Sequence, residues 1–483
     1  MYYNQYSARY HHKVVVFMPK FNKALKLSHL ISKSLKTFNF EATSFPGKIV
    51  QKFYPSFLKE CTRYIKHPKI AVTGTNGKTT TSGLLTEILR QANLFVINNK
   101  LGANMPNGIV TAIAEGLYSK MKDSKLIESD GAVLECDEAY FSVVANKFGF
   151  DYLIITNLFR DQLDRYGEMD IARKKIIKGI GLNPDIKIIL NADDPSLYKI
   201  PESFKYNEDK FIYYGITNVE YVDYEKTSKS PVENLYCEKC NEPVQYRKRY
   251  YAQLGDWYCL CGNKRHELDI KANVMVYPDK NILDVTYKEN TYTFKTNLTG
   301  LYNAYNALAA ISAALVCGIK KEEIEKAFDN YSPVFGRHQK IKLKGNRELT
   351  IHLIKNPVGA SEVLRGLKGL KNSRMVISIN DNYADGRDVS WLWDADFEAL
   401  KDFQNVIYTT GTRSYDAALR LKHAGFNPIL LEVGDNTDKV ATAVENSIEE
   451  LNDNENLTVL VTYTGLLNIQ KNMKRLKKKY GED

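Results

Sequence analysis

One stretch of the chain decides the fold: Ile70-Ala71-Val72-Thr73-Gly74-Thr75-Asn76-Gly77-Lys78-Thr79-Thr80-Thr81. Its apolar start predicts a buried strand, and its glycines let the following backbone turn N–H groups towards a phosphate. Lys78 supplies a positive charge for the outer phosphates, and the Thr79 hydroxyl is a ligand for Mg²⁺. The stretch therefore predicts a nucleotide-binding loop between a strand and a helix. The alternative is a glycine-bearing turn that binds nothing.

Further apolar segments follow this loop at residues 94–97, 131–135, 152–157 and 186–191, and helical patterns separate them. Strands that alternate with helices indicate a parallel, doubly wound sheet, so the predicted fold class is α/β. In such sheets ligands bind where the strands end. Polar residues follow several of these segments, and we expect them near the loop.

The acidic residues at these strand ends are the candidate metal ligands. Glu135 ends one predicted strand at the same edge as the loop, and phosphoryl transfer needs a cation between phosphate oxygens. We therefore expect Glu135 and Thr79 to hold Mg²⁺. Asp137 and Glu138 are further candidates, and Asp193 is a candidate for contact with nucleotide or metal. A helix cap or an Asx turn is the alternative for each acid.

The net positive charge is unevenly spread along the chain, and the start of the chain is basic. The formal charge is +10 over 483 residues, and the first acidic residue is Glu41. This start is consistent with a mitochondrial transit peptide, a helix near anionic headgroups or an anionic substrate, or a solvated helix. Translation from Met18 is a further hypothesis. Elsewhere basic and acidic residues interleave, which argues against a nucleic-acid partner.

Four of the seven cysteines are spaced like metal ligands. Cys237 and Cys240 form one close pair and Cys259 and Cys261 a second, which predicts a zinc ribbon whose metal is structural. The second pair is C-x-C instead of C-x-x-C. A degenerate site with unligated cysteines is the alternative. The remaining three, Cys61, Cys136 and Cys317, lie in apolar surroundings and are most simply core residues.

Two later segments offer further nucleotide contacts. Asn303 and Asn306 lie close to one face of a predicted helix and can present paired donors and acceptors to an adenine edge. A helix start capped by asparagine is the alternative. Arg337 follows a glycine. This pattern predicts a turn that holds the arginine charge near a phosphate, and it also indicates a domain boundary.

The last part of the chain predicts a second α/β domain. Its expected strands are residues 349–353, 375–379, 406–409, 428–431 and 458–463. Residues 380–394 contain several acidic residues, an arginine and two of the three tryptophans of the chain. This composition favours a docking or catalytic loop over an exposed acidic turn.

These motifs together resemble the MurT family, the Mur-ligase-like subunits of lipid II isoglutaminyl synthases. The loop alone is similar to the ATP loops of Mur ligases and folylpolyglutamate synthetases. The wider resemblance rests on five features, which are the G-T-N-G-K-T-T loop, the four-cysteine insertion, G-L-Y-N-A-Y-N, Lys355-Asn356-Pro357-Val358-Gly359 and A-D-G-R-D-V-S-W-L-W-D. It covers the chain from about residue 45 to its end.

The resemblance implies a domain order and a ligand set. A basic extension at 1–44 precedes a Mur-type ATP-binding domain at 45–336, which holds the zinc ribbon at 232–270, and a MurT-type domain occupies 337–483. ATP, Mg²⁺ and structural Zn²⁺ are the implied cofactors. The expected ATP ligands are Thr75, Asn76, Gly77, Lys78, Thr79, Thr80, Asn303, Asn306 and Arg337.

The resemblance also implies an activity. ATP would phosphorylate the α-carboxylate of D-glutamate in the lipid II stem peptide, and ammonia from a GatD glutaminase subunit would give D-isoglutamine. Asp388, or alternatively Asp385, would complete the catalytic triad of the glutaminase. The chain would then work in the cytoplasm, at the inner face of the membrane. The rival hypotheses are a stand-alone amino-acid ligase and a non-catalytic zinc-ribbon scaffold.

Overall fold

The structure is a computed structural model that describes residues 19–37, 43–99, 103–122, 125–159, 169–222, 235–237, 239–277, 279–331, 337–368, 370–431 and 440–482. The α-helices are numbered in chain order: α1 (Pro19–Thr37), α2 (Phe45–Phe53), α3 (Phe57–Cys61), α4 (Lys78–Gln91), α5 (Pro106–Ser119), α6 (Phe141–Ala145), α7 (Met169–Gly181), α8 (Lys199–Glu202), α9 (Leu301–Val316), α10 (Lys321–Asn330), α11 (Pro357–Gly366), α12 (Trp391–Asp394), α13 (Ser414–His423), α14 (Val440–Glu449) and α15 (Tyr463–Tyr480).

The strands are numbered in the same way: β1 (Lys69–Thr73), β2 (Val96–Asn98), β3 (Gly131–Glu135), β4 (Tyr152–Ile155), β5 (Lys187–Asn191), β6 (Phe211–Tyr221), β7 (Gln245–Tyr251), β8 (Leu254–Tyr258), β9 (Ile270–Val276), β10 (Asn281–Tyr287), β11 (Asn290–Thr296), β12 (Arg337–Leu343), β13 (Arg347–Leu353), β14 (Ser373–Ser378), β15 (Ile407–Thr410), β16 (Ile429–Leu430) and β17 (Asn456–Val461).

The central domain is built on a sheet with the order β11-β10-β9-β6-β5-β4-β1-β3-β2. Strand β1 lies inside it and pairs in parallel with β3 and β4. Ile70, Ala71 and Val72 are fully buried, because helices cover both faces of a parallel sheet. Two apolar cores result, and α4 and α9 belong to the core on one face. The helices α5 and α6 belong to the other.

The chain start is a layer of helices on the second core. Helix α1 packs against α2 and α5, and α2 also packs along α5. Phe21 and Leu25 of α1 and Val50 of α2 are fully buried. Helix α1 lies within the predicted N-terminal extension, yet its apolar face is part of the central domain.

The C-terminal domain has a separate sheet with the order β12-β13-β17-β14-β15-β16. Strand β12 pairs antiparallel with β13, while β13, β17, β14, β15 and β16 run in parallel. Within the described ranges, no helix is long and apolar enough to cross a bilayer.

The predicted α/β class and parallel strands are confirmed. The strands that the sequence analysis missed are β6 and β9–β11 of the central sheet and β12 of the second. Strands β10 and β11 pair antiparallel at one edge of the central sheet. Alternating sequences such as Asn290–Thr296 bury only every second side chain. They lack the continuous apolar run by which the inner strands were recognised.

Candidate active site

The phosphate loop leaves β1 at Thr73 and enters α4 at Lys78. Gly74 has a φ of 126° and Gly77 a φ of 86°, a region that side-chain-bearing residues rarely adopt. The surroundings exclude a side chain as well. A Cβ on Gly74 would lie 2.2 Å from Thr156 Oγ1, and one on Gly77 would lie 2.0 Å from Asn306 Oδ1. The loop is therefore held tightly between the end of β4 and helix α9.

Side chains after β4 fix the loop backbone. The Asn76 N–H donates to Asn157 Oδ1 at 2.9 Å, and Asn157 Nδ2 donates to the Asn76 carbonyl at 3.2 Å. The Thr75 hydroxyl accepts from the Phe159 N–H at 3.0 Å and donates to the Phe159 carbonyl at 3.1 Å. Thr75 thus shapes the loop through its side chain, and its own N–H donates to the Asn157 carbonyl at 2.9 Å.

Lys78 holds its ammonium group inside the loop. Nζ donates to the carbonyls of Gly74 and Thr75, the latter at 3.1 Å, and pairs with Glu138 Oε2 at 3.1 Å. The lysine is 7% exposed and Glu138 is 9% exposed. A charge in such a dry setting acts strongly on a nearby phosphate. Glu138, a candidate metal ligand from the sequence, is here the partner of this lysine.

The two predicted magnesium ligands meet beside Lys78. Thr79 Oγ1 donates to Glu135 Oε2 at 2.8 Å, and Asn104 Nδ2 donates to Glu135 Oε1 at 3.1 Å. A single cation can therefore contact both the hydroxyl and the carboxylate. Oxygen ligands of this kind suit Mg²⁺, which retains water and phosphate oxygens in its remaining positions. The donor set fits the metal that the sequence predicted.

A cavity of about 130 Å³ opens beside the loop. Five predicted ATP ligands line it: Asn76, Gly77, Thr80, Asn303 and Asn306. Asn306 Nδ2 donates to Asn303 Oδ1 at 3.2 Å, and Asn303 Nδ2 donates to the Thr299 carbonyl at 2.8 Å. The two asparagines thus belong to one wall, formed by the start of α9.

The C-terminal domain forms the opposite wall. Asn356 Oδ1 caps α11 by accepting from the Gly359 N–H at 2.8 Å, while its Nδ2 donates to Asn76 Oδ1 at 2.9 Å. His352, Lys355 and Glu362 also line the cavity. Sequence reasoning assigned no site role to these residues, because the fold alone places them against the loop.

Arg337 is the predicted phosphate ligand that remains to be placed. It begins β12, and its backbone is paired with that of the cavity residue His352. Its side chain lies outside the described part of the structure. The predicted role of Arg337 therefore stays a prediction.

The turn of the ribbon hairpin β7–β8 is an unexpected third wall. Tyr251 and Leu254 line the cavity and are 5% and 1% exposed. The Tyr251 ring meets that of Phe159 edge-on, with centroids 6.0 Å apart. Gln253 Nε2 anchors the turn by donating to Asp194 Oδ1 at 2.7 Å. The sequence placed this segment within the predicted zinc ribbon at 232–270 but gave no sign that it lines the cavity.

Asp193 serves the fold, which corrects the expectation of a nucleotide or metal contact. It is fully buried, and Oδ1 accepts from Arg265 NH1 at 2.8 Å. Oδ2 accepts from the Ile216 N–H and the Tyr305 hydroxyl, both at 2.8 Å. Burial raises the pKa of Asp193 to about 6 despite the neighbouring Arg265 charge. Asp193 thereby joins Arg265, which follows the four cysteines, to strand β6 and helix α9.

The four ribbon cysteines converge on one point. Their sulfurs all lie within 4.8 Å of one another, with 3.5 Å between Cys237 and Cys261 and 3.3 Å between Cys240 and Cys259. These separations are too long for a disulfide. Zn–S bonds of about 2.3 Å place tetrahedral sulfurs about 3.8 Å apart, so the cluster fits a zinc ion. Gly262, with a φ of 92°, forms the turn directly after the C-x-C pair.

The two candidate triad aspartates occupy different environments. Asp385 is 5% exposed and accepts hydrogen bonds from Thr464, from the N–H at 2.7 Å and the hydroxyl at 2.5 Å. It thereby caps the first turn of α15. Burial raises the pKa of Asp385 above its usual range.

Asp388 lies nearer the surface of the same loop. It is half-buried, and its Oδ1 accepts from the Ser390 N–H at 2.9 Å. Large aromatic side chains are exposed on both sides of it in sequence, with Tyr383 at 72% and Trp393 at 49% exposure. Such side chains are typical of protein interfaces.

Comparisons with known proteins agree with this geometry. Residues 72–314 match the Mur ligase middle domain. A pseudomurein peptide ligase type C from Methanothermus fervidus has a similar fold, with a TM-score of 0.66, 21% identity, and coverage of 95% of this chain and 98% of that one. MurF from Thermotoga maritima, solved with ADP, has a TM-score of 0.56 at 14% identity and covers 90% and 85%. The fold and the phosphate loop define a protein of the Mur ligase class.

The C-terminal domain shows which family within this class the chain resembles. Residues 353–466 match the MurT ligase C-terminal family. The lipid II isoglutaminyl synthase (glutamine-hydrolyzing) subunit MurT of Staphylococcus aureus strain COL is 35% identical over 412 residues, which span 85% of this chain and 89% of the relative. The subunit of the same name from Streptococcus pneumoniae is 34% identical and covers 88% and 91%. The chain belongs to the MurT family.

Proposed function

We propose that this chain activates the α-carboxylate of D-glutamate in the lipid II stem peptide and that ammonia from a GatD-type glutaminase converts it to D-isoglutamine. A carboxylate oxygen attacks the γ-phosphorus of ATP, and ADP leaves. Ammonia then attacks the carbonyl carbon of the acyl phosphate, and inorganic phosphate leaves. The names of the MurT relatives support this reaction.

The observation that carries the proposal is the meeting of Lys78, Thr79 and Glu135 beside a cavity shared by two domains. Lys78 would hold the outer phosphates, and Thr79 and Glu135 would hold Mg²⁺, which supplies charge neutralisation when bound. The loop N–H groups of residues 77–80 would contact phosphate oxygens, while those of Thr75 and Asn76 bond to Asn157 and hold the loop in shape. Asn303 and Asn306 would hold the adenine, and Arg337 a phosphate.

The remaining parts of the chain support the same function. Cys237, Cys240, Cys259 and Cys261 would hold a structural zinc ion, since four thiolates leave no open position for chemistry. Asp388 would orient the histidine of the glutaminase, and its half-exposed place on a loop with exposed aromatic residues supports that role over the buried Asp385. We place the heterodimer in the cytoplasm, at the inner face of the membrane that carries lipid II.

Mass spectrometry of lipid II tests the proposal. The lipid is incubated with the chain, ATP, Mg²⁺ and glutamine, with and without a co-expressed GatD-type glutaminase. We expect conversion of the D-glutamate carboxylate to an amide only with the partner, and none with the variant Lys78→Ala. ATP turnover without amidation in a well-formed complex would contradict the proposal and favour a stand-alone amino-acid ligase.

The variant Asp388→Asn separates the release of ammonia from glutamine from the ATP-dependent amidation of lipid II. We expect glutamine-driven amidation to fall at least ~100-fold, because an amide cannot replace the carboxylate that orients the histidine. Amidation driven by ammonium chloride should remain, since the ATP site is unchanged. Asp385→Asn is the matched variant, and we expect it to lower thermal stability by weakening the cap of α15. Full glutamine-driven activity of Asp388→Asn would move the triad role to Asp385.

A further inference from the structure

The outer face of the N-terminal helical layer combines many positive charges with few negative ones. Residues 19–37 and 43–66 contain a single acid, Glu60. The basic residues of the same ranges are Lys20, Lys23, Lys26, Lys33, Lys36, Lys48, Lys52, Lys59, Arg63 and Lys66. Within the described residues, Lys66 is the member of this set that forms an ion pair, with Glu128 at 3.6 Å.

Apolar side chains are exposed on the same layer. Leu30 of α1 is 63% exposed, and Phe45 and Phe53 of α2 are 53% and 70% exposed. Both helices pack on α5 through their buried faces, so their exposed faces point away from it on the outer side of the layer. The exposed Leu30 lies among the exposed lysines of α1, and the two phenylalanines lie beside Lys48 and Lys52.

We propose that this outer face of α1 and α2, defined by the exposed lysines with Leu30, Phe45 and Phe53, docks on an anionic lipid surface. Lysine stems lie along apolar surface while the ammonium groups reach headgroup phosphates. Leucine and phenylalanine side chains can enter the boundary between headgroups and acyl chains. A basic face attracts anionic lipid over about one Debye length.

The charge pattern distinguishes this face from the basic C-terminal helix. On α15, Arg475 pairs with Glu445 at 2.9 Å and Lys479 pairs with Glu449 at 2.8 Å. Those charges are partly neutralised within the domain. Glu115 of α5 contacts α1 through His29, at 3.1 Å, but among the described residues the lysines of α1 and α2 form no ion pair. The face of α1 and α2 is therefore the stronger attractor for an anionic surface.

The inference deepens the proposed membrane location and names the surface responsible. Its test contains neither lipid II nor a glutaminase, so its failure is distinguishable from a failure of amidation. The full chain is sedimented with vesicles of phosphatidylglycerol and phosphatidylcholine, and with vesicles of phosphatidylcholine alone. We expect binding to the anionic vesicles that weakens as salt rises, and at least ~10-fold weaker binding to the neutral ones.

Two variants locate the face. The triple variant Lys23→Glu, Lys26→Glu, Lys33→Glu should lose binding at least ~10-fold, and Leu30→Ser with Phe53→Ser should weaken it while the salt dependence remains. The matched control Lys471→Glu, Lys474→Glu, Lys478→Glu makes the same charge change on α15 and should bind like the unchanged chain. Circular dichroism confirms that each variant is folded.

Three results would overturn the inference. The first is equal binding of the unchanged chain to both vesicle types, and the second is an equal loss in the α15 control. The third is tight binding of RNA or duplex DNA, lost in the α1 triple variant, with none to vesicles. That result would make the face a nucleic-acid surface.

Discussion

At the scale of single residues, Gly77 shows how the backbone of the phosphate loop restricts side chains. Its φ of 86° suits glycine, and a Cβ would overlap Asn306 Oδ1 at 2.0 Å. The conformation alone costs a residue with a side chain about 1 kcal/mol. The overlap adds to this cost, so the loop or the start of α9 has to shift. Gly77 and Asn306 both border the proposed ATP cavity.

We therefore predict that Gly77→Ala lowers the affinity for ATP at least ~10-fold, measured by isothermal titration calorimetry. The matched control is Gly181→Ala, because no heavy atom lies within 4 Å of the Cβ that it adds. This control should bind ATP normally. ATP binding by Gly77→Ala at the affinity of the unchanged chain would show that the loop is not the nucleotide site.

The candidate site residues that a sequence pattern can indicate are those whose signal is local. Lys78 and Thr79 follow from the spacing within one loop, and Glu135 from its place at a strand end. Asn104 orients Glu135 from a different loop, and no spacing connects the two. Asp193 was assigned wrongly, because a strand-end acid looks the same in sequence whether it faces a cavity or Arg265.

At the scale of elements, the four-cysteine ribbon packs closely on the central domain. Its hairpin turn reaches the cavity through Tyr251 and Leu254, and Trp257 Nε1 donates to the Ala192 carbonyl at 3.0 Å. The spacing of the two cysteine pairs predicted that the four sulfurs converge, as they do. It did not predict this docking, because the contacts join strand β8 to residues some 65 positions earlier. The ribbon therefore links its cysteine cluster to the wall of the cavity beside the loop.

We predict that Cys259→Ser removes zinc, measured by inductively coupled plasma mass spectrometry, and shifts the emission of the buried Trp257 to longer wavelength. The reason is that a small module with little core depends on the metal for folding. The KM for ATP should rise about 5-fold or more as the cavity wall loosens. Cys317→Ser, which lies outside the cluster, should retain zinc and KM. An unchanged KM for ATP after zinc loss would show that the ribbon does not support the ATP site.

The strands divide into those a sequence pattern reveals and those it does not. Continuous apolar runs such as Gly131–Glu135 identified the buried parallel strands. Strand β12 alternates instead, with the sequence Arg-His-Gln-Lys-Ile-Lys-Leu, and lies at a sheet edge. Edge strands carry polar residues on their open face, so their pattern approaches that of a loop. The parallel strands with continuous apolar runs were thus predictable, and alternating strands such as β11 and β12 were not.

At the scale of the whole molecule, the two domains meet at the phosphate loop. The hydrogen bond from Asn356 Nδ2 to Asn76 Oδ1 joins α11 of one domain to the loop of the other. A ligation that uses ATP and a separate acceptor needs the two domains in one fixed relative position, because misplacing the reacting groups by about 1 Å slows the reaction strongly. No sequence pattern could predict this contact, because 280 positions separate the two asparagines.

The variant Asn356→Ser tests whether this contact positions the domains for catalysis. Serine retains the capping oxygen for the Gly359 N–H but is too short to reach Asn76, so the cap survives and the interdomain bond is lost. Loss of one such bond costs about 1 kcal/mol, and we expect kcat for ATP-dependent amidation to fall about 5-fold with a change in thermal midpoint of a few degrees at most. Asn76→Ala should produce a similar loss, and the double variant should be no slower than the slower single one, because both remove the same bond. Independent, multiplying losses in the double variant would mean that the two asparagines act separately and that this bond does not set the closed arrangement.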